Sequence, residues 1–87
     1  MQLRIRVFAM LREKLRRSEI DCAVPEGATV EQLLDRLADQ YPAIRELRPA
    51  LAVAVNEEYV DSSHVLAAAD EIALIPPVSG GAGVPYR

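Results

Sequence analysis

The sequence predicts an α+β domain in which a mixed β-sheet packs on one main helix. Several short segments alternate apolar and polar residues, as half-buried strands do. One longer segment carries a single apolar stripe with helical spacing, and the elements follow one another in the order β-β-α-β-β-β. With 87 residues and 51% hydrophobic content, the chain has the length of one small domain built around its own core.

The start of the chain predicts a strand, a short helical turn and a second strand. Apolar residues occupy every second position of the first strand, at Met1, Leu3, Ile5, Val7 and Ala9, and alternate with Gln2, Arg4, Arg6 and Phe8. Leu11 and Leu15 are four residues apart, which indicates a short helix over residues 10–17. Alternation resumes at Ile20, Cys22 and Val24, so a second strand is expected to pair with the first.

The main helix is predicted to begin after Thr29. Thr29 and Gln32 fit a capping box, in which a hydroxyl and an amide satisfy free N–H groups of the first turn. A single apolar stripe follows at Val30, Leu33, Leu34, Leu37, Ala38 and Tyr41. Pro42 is predicted to end the helix.

The remainder of the chain predicts a connecting turn at residues 43–50, followed by three strands. These strands are expected at residues 51–55, near Tyr59–Val60 and at Glu71–Ile75, with Leu66 packing from a loop. A helix between the second and third strands must cross over the sheet. If the first and last strands pair in parallel at the centre, the fold is a β-grasp (ubiquitin-like) domain over residues 1–75, with residues 76–87 as a flexible C-terminal tail.

The side chains do not predict a catalytic site of the chain's own. The single cysteine, Cys22, excludes an internal disulfide framework and is interpreted as a small buried hydrophobe, while His64 is interpreted as a surface residue. No metal site or bound cofactor is expected, because one Cys and one His do not make a zinc site. The chain has neither an apolar run that could cross a bilayer nor a signal-peptide pattern, so no membrane partner is expected and the predicted location is cytoplasmic.

Positive charge is concentrated at the start of the chain. The first 17 residues contain six basic residues and one acidic residue, Glu13, whereas the whole chain has a net charge of −3. The basic residues are Arg4, Arg6, Arg12, Lys14, Arg16 and Arg17. A nucleic-acid surface is not favoured, since the stretch lacks interleaved aromatic residues and a binding motif. A solvated strand face and a short basic helix, which could dock an acidic partner, are the preferred interpretation.

The segment after the last predicted strand is the most informative. Between Ile72 and Tyr86 there is no carboxylate, amine, imidazole or thiol. Pro76 and Pro77 stop the strand and favour an extended chain. Gly80 and Gly81 lack Cβ atoms and fit a narrow channel. Extended, residues 76–81 reach about 20 Å, so the predicted functional group is a glycine carboxylate placed in another protein's active site; the alternative is an ordinary frayed tail.

Four segments together resemble the small subunit of molybdopterin synthase, the MoaD family, from Met1 to Gly81. They are the strand and short helix at residues 3–15, VPEGATVEQLLDRLADQYP at 24–42, LAVAVNEEYV at 51–60 and DEIALIPPVSGG at 70–81. Two departures are noted. Ala68-Ala69 stand where the family often has glycine, and Leu74-Ile75 stand where aromatic residues are frequent, which predicts an aliphatic and less bulky partner-facing patch.

The resemblance implies a sulfur-carrier cycle. A ubiquitin-activating-like adenylyltransferase would use ATP to adenylate Gly81, and a persulfide donor would convert the product into a thiocarboxylate. The large subunit of molybdopterin synthase would then receive the tail and pass the sulfur to a cyclic pterin precursor. Implied partner-binding residues are Ile75, Pro76, Pro77, Val78, Ser79 and Gly80, with Ile75 and Val78 as apolar anchors.

Three alternative functions stay open: a sulfur carrier for thiamine thiazole synthesis, a ubiquitin-like protein modifier, and an interaction module without chemistry. Because Ala82–Arg87 follows Gly81, Gly81 has a peptide bond where the cycle needs a free carboxylate. The presence of this segment has three explanations. It is a precursor extension cut after Gly81, the start of a linker into a fused large subunit, or a stretch added for expression. The favoured expectation is a native extension that is removed or continued in the cell.

Overall fold

The computed structural model describes residues 1–77, and within this range five strands form a single sheet. The strands are β1 (Gln2–Val7), β2 (Glu19–Ala23), β3 (Ala52–Val55), β4 (Glu58–Val60) and β5 (Ile72–Ile75). The helices are α1 (Ala9–Leu15), α2 (Val30–Gln40) and α3 (Pro42–Leu47), and a 3₁₀ turn covers Arg48–Ala50. The greater part of the predicted tail, with Val78, Ser79, Gly80 and Gly81, lies outside the described residues.

The sheet has the strand order β2-β1-β5-β3-β4, which places the first and last strands of the domain side by side at its centre. β1 and β5 are parallel, with Val7 beside Leu74, whereas every other pair in the sheet is antiparallel. This is the predicted β-grasp arrangement. The α+β prediction, with a mixed sheet against a main helix, is therefore confirmed.

Alternation along the strands separates a core face from an open face. In β1 the buried and exposed residues alternate without exception, and Ile5 is completely inaccessible to solvent. Leu74 of β5 and Leu33 and Leu37 of α2 are equally inaccessible. Every buried side chain among residues 1–77 is apolar, so burial of apolar surface stabilises the core with no buried polar group to satisfy.

The N-terminus of α2 is satisfied as the capping box predicts. The backbone N–H of Gln32 donates to Thr29 Oγ1 at 3.3 Å, and the Thr29 N–H donates to Gln32 Oε1 at 2.9 Å. The N–H groups of Val30 and Glu31 donate to carbonyl oxygens of the loop that carries Ser62 and His64, each at 3.0 Å. The loop before β5 is thereby fixed to the start of the helix.

Residues 43–50 are a correction to the sequence prediction, because they form α3 and the 3₁₀ turn rather than a connecting turn. Pro42 does end α2, but it also occupies the first turn of α3, where its missing N–H has no intrahelical partner to lose. Ile44 is fully buried against the core, and the Arg45 guanidinium donates to the carbonyl of Ala38 near the end of α2. Six residues are too few for a helical period to be recognised in the sequence.

Within residues 1–77, none of the helices has both the length and the apolar character needed to cross a membrane. The longest, α2, has 11 residues, whereas a membrane span needs about 20.

The end of α1 holds an arginine in the left-handed conformation that favours glycine. Arg16 has φ 61° and ψ 34°, and its N–H donates to the carbonyl of Arg12 at 2.8 Å. A residue with a Cβ atom in this conformation costs about 1 kcal/mol, so Arg16→Gly is expected to raise the free energy of unfolding by up to about 1 kcal/mol. Urea denaturation monitored by circular dichroism measures this change.

The neighbouring substitution Arg17→Gly is the control. Arg17 does not have a positive φ, so glycine there adds freedom to the unfolded chain without relieving strain and should lower the denaturation midpoint. Equal midpoint changes for the two variants would contradict the conformational explanation.

Candidate functional site

The root of the tail is the end of β5, at the centre of the sheet. Leu74 pairs with Val7 of β1 and Val53 of β3, and Ile75 pairs with Ala52. The first proline after the strand, Pro76, is buried, and Pro77 is exposed. Because proline has no N–H to donate, the ladder ends here, and the chain leaves from a strand that is held on both sides.

The open face of the sheet has a floor of small side chains. Arg6, Ala73, Ala54 and Tyr59 are cross-strand neighbours in one row, running from β1 through β5 and β3 to β4. The two alanines in the middle leave a depression between bulkier flanks. The aromatic flanks are Phe8, 37% exposed, and Tyr59, 67% exposed.

This depression, the sheet-face groove, has a volume of about 250 Å³ and is lined by residues that include Arg6, Phe8, Ala54, Tyr59, Ala73 and Ile75. It adjoins the point where the tail departs, because Ile75 is the last residue of β5. The guanidinium of Arg6 lies over the Phe8 ring, 5.5 Å from its centroid, and Glu57 and Glu71 contribute charge to the lining. An apolar floor inside a polar rim is the composition of protein–protein interfaces.

The prediction that Ile72 and Leu74 are buried, with Ala73 and Ile75 on the opposite face, is confirmed, since burial alternates along β5. Ile75 is half-buried and lines the groove. Its role in partner binding stays a prediction, as do the roles of Pro76 and Pro77. Because Pro76 is buried, it offers little surface to a partner.

Phe8 and Tyr59 are components of this site that the sequence analysis did not assign. One signal was available for Phe8, since it stands at a polar position of the β1 alternation and must therefore lie on the open face. Tyr59 offered no such signal, because its β4 strand has only three residues.

Two other chemically distinctive side chains lie away from the groove. Cys22 is buried on the core face of β2, where burial raises the pKa of its thiol, so the thiol stays protonated and unreactive at neutral pH. His64 is half-buried in the loop before β5, and its carbonyl caps α2, which modifies the prediction of a simple surface residue. Residues 1–77 contain no group of three or more His, Cys, Asp or Glu side chains that could hold a metal ion.

Comparison with known proteins agrees with the β-grasp fold described above. The model of the ThiS family matches residues 5–81, so the match ends at Gly81. A molybdopterin synthase sulfur carrier subunit of Arabidopsis thaliana is 35% identical, with 92% of this chain and 83% of the relative covered. The corresponding subunit of Chlamydomonas reinhardtii is also 35% identical, with coverages of 93% and 100%. Among solved structures, SAMP1 of Haloferax volcanii superposes with a TM-score of 0.79 at 32% identity, covering 93% of this chain and all of that one.

The burial of Cys22 generates a prediction about thiol reactivity. A thiol-specific reagent should modify the native protein at least about 100-fold more slowly than the denatured protein, because reaction requires opening of the core around β2. With an aromatic disulfide as the reagent, the absorbance of the aromatic thiol that it releases measures both rates. Similar rates in the two states would contradict the assignment of Cys22 to the core.

Proposed function

Because the chain belongs to the ThiS family, we propose that it is the sulfur carrier subunit of a molybdopterin synthase and carries sulfur as a thiocarboxylate on Gly81. The identity of about 35% over nearly the whole chain to two such subunits carries the proposal. It supports the molybdopterin branch over a thiamine carrier. The similarity to SAMP1, a small archaeal modifier protein, concerns the shared fold, and the sulfur assay below separates carrier from modifier.

The proposed chemistry takes place at a backbone carboxylate rather than at a side chain. The carboxylate of Gly81 attacks ATP on an adenylyltransferase of the ubiquitin-activating type, giving an acyl adenylate and pyrophosphate. The terminal sulfur of a persulfide displaces AMP and gives an acyl disulfide. A second thiol then attacks the S–S bond by thiol–disulfide exchange, which releases the thiocarboxylate and leaves a disulfide on the donor. Two such carriers supply the two sulfur atoms of the dithiolene in molybdopterin. The carrier itself needs no bound cofactor in this cycle.

The contribution of the fold is positional. β5 is hydrogen-bonded on both sides, so the tail begins at a fixed point, and an extended segment from Pro77 to Gly81 spans roughly 15 Å. Holding the reacting group at a set distance from a docked surface raises its effective concentration in the partner's active site. In this proposal the partner supplies the acid and base groups for the sulfur transfer.

We further propose that the large synthase subunit binds the sheet-face groove while the tail enters its active site. The groove offers apolar floor at the root of the tail, and interface energy concentrates in such desolvated positions. Ile75 and Val78 act as anchors in this proposal, and Pro77, Ser79 and Gly80 line the entry. The cytoplasm, where thiols stay reduced, is the proposed location.

The substitution Ile75→Asp tests the docking surface. A carboxylate buried without a partner is costly, so the dissociation constant for the large subunit should rise at least about 100-fold. Ile75 is only half-buried, so the domain should remain folded. Calorimetric titration and a thermal melt measure the two effects.

Ala23→Asp is the matched control, because it places the same charge at an exposed position of the edge strand β2. Its affinity should stay within about 3-fold of the unaltered protein. Equal affinity of the Ile75 and Ala23 variants would show that the docking surface lies elsewhere.

Sulfur loading tests the chemistry. A chain ending at Gly81, incubated with activating enzyme, ATP and a sulfur donor, should gain the mass of one oxygen-to-sulfur exchange in intact mass spectrometry. The 87-residue chain should not, because an amide replaces the carboxylate, and cleavage at Gly81–Ala82 should restore loading.

Gly81→Val, in the chain ending at residue 81, separates folding from chemistry. It should melt like its parent and fail to accept sulfur, since a β-branched side chain obstructs a channel shaped for glycine. Sulfur on an uncut chain ending at Arg87 would contradict the assignment of the carboxylate. Isopeptide conjugates instead of a thiocarboxylate would favour a modifier.

A further inference from the structure

Four positive side chains around α1 are exposed and form no salt bridge in the part of the chain that the structure describes. Arg12, Lys14, Arg16 and Arg17, called here the basic cluster, are all exposed. The salt bridges of residues 1–77 are Arg4–Glu19 and Arg48–Asp35, and neither involves the cluster. A chain with a net charge of −3 therefore holds a local excess of positive charge on one short helix and the turn after it.

The basic cluster lies at the end of the sheet from which the tail departs. β1 and β5 are parallel, and Val7 at the end of β1 is beside Leu74. The Val7 N–H also donates to the carbonyl of Ser18, directly after the cluster, at 3.0 Å. Since neighbouring strands are about 4.8 Å apart, Ser18 is roughly 10 Å from the end of β5. A protein that admits the tail must approach this end of the domain.

One residue of the basic cluster, Arg16, lowers the stability of the fold. Arg16 adopts φ 61°, a conformation in which glycine is the residue expected at a helix end. Glycine at position 16 would relieve this penalty. Strained residues that persist against such alternatives concentrate at functional surfaces.

We propose that the basic cluster is an electrostatic docking surface for an acidic patch on the large synthase subunit, beside the channel that admits the tail. This inference rests on the proposed function and adds a second contact to the sheet-face groove. Charge complementarity of this kind raises association rates and orients the partners before the apolar contact forms. A nucleic acid is the less fitting occupant, because residues 9–18 contain no aromatic side chain on which a base could stack.

Association kinetics with the purified large subunit test the proposal. Arg17→Glu should lower the association rate constant about 5- to 10-fold at low ionic strength, with a smaller change in dissociation. The difference should shrink towards that of the unaltered protein as salt is raised, because exposed charges are screened. Arg36→Glu, on the exposed face of α2, makes the same charge change elsewhere and should alter the rate less than about 2-fold.

Arg16→Gly separates docking from folding. It should raise the melting temperature, by up to roughly 8 °C, and still slow association, a combination that a purely structural role for Arg16 does not produce. Equal association rates for Arg17→Glu and Arg36→Glu, or a rate difference that salt leaves unchanged, would overturn the proposal.

Two further results would overturn it in favour of another occupant. Slower sulfur loading of Arg17→Glu with an unchanged association rate would assign the basic cluster to the activating enzyme. Binding of single-stranded RNA at physiological salt that Arg17→Glu abolishes would assign it to nucleic acid. If the unaltered carrier formed no complex with the large subunit, the proposed function itself would be contradicted. If the unaltered carrier bound and Arg17→Glu had the same association rate constant, only the docking surface would be contradicted.

Discussion

Parallel pairing of β1 with β5 at the centre of the sheet is the constraint on which the rest of the molecule depends. It joins the first and last strands of the domain, so the sheet is complete only when residues 72–75 have taken their place between β1 and β3. β5 pairs with β1 along residues 72–74 and with β3 along residues 72–75, so the strand that precedes the tail is held in the middle of the sheet. The tail therefore starts from a defined position although its own residues carry almost no side-chain chemistry.

The same central position divides the sheet into a core face and an open face. On one side, Ile5, Ile72 and Leu74 pack against α2 and are almost completely buried. On the other side, Ala54 and Ala73 keep the centre of the sheet shallow between the Phe8 and Tyr59 flanks. A larger residue at either alanine would fill the groove without adding to the core. Small side chains at the centre of an exposed face thus leave room for a partner.

Function in this architecture is a matter of placement. Burial raises the pKa of the Cys22 thiol in the core, and His64 accepts a hydrogen bond from Val30 through its backbone carbonyl, so neither of these distinctive side chains lies in the groove. What the domain supplies is a fixed origin for the tail, an apolar groove at its root and positive charge at the same end of the sheet. In the proposed function, these features bring the Gly81 carboxylate to a partner that supplies the acid and base groups.

Most local elements could be predicted from the sequence alone, and the chemistry proposed for the tail also rests on the sequence. The alternation of β1, the capping box at Thr29 and the pair Pro76-Pro77 each depend on residues close together in the chain, where spacing and backbone preference act directly. Which distant residues come together is visible only in the folded domain. α3 is too short for a helical period to be recognised in its sequence, and it forms because Ile44 packs into the core. Phe8, directly after β1, meets Tyr59 of β4 and Ile75 of β5 in the groove, and the basic cluster lies at the same end of the sheet as the end of β5 because β1 and β5 run in parallel. Contacts of this kind follow from strand order and register, which non-local packing selects and which a single run of residues does not encode.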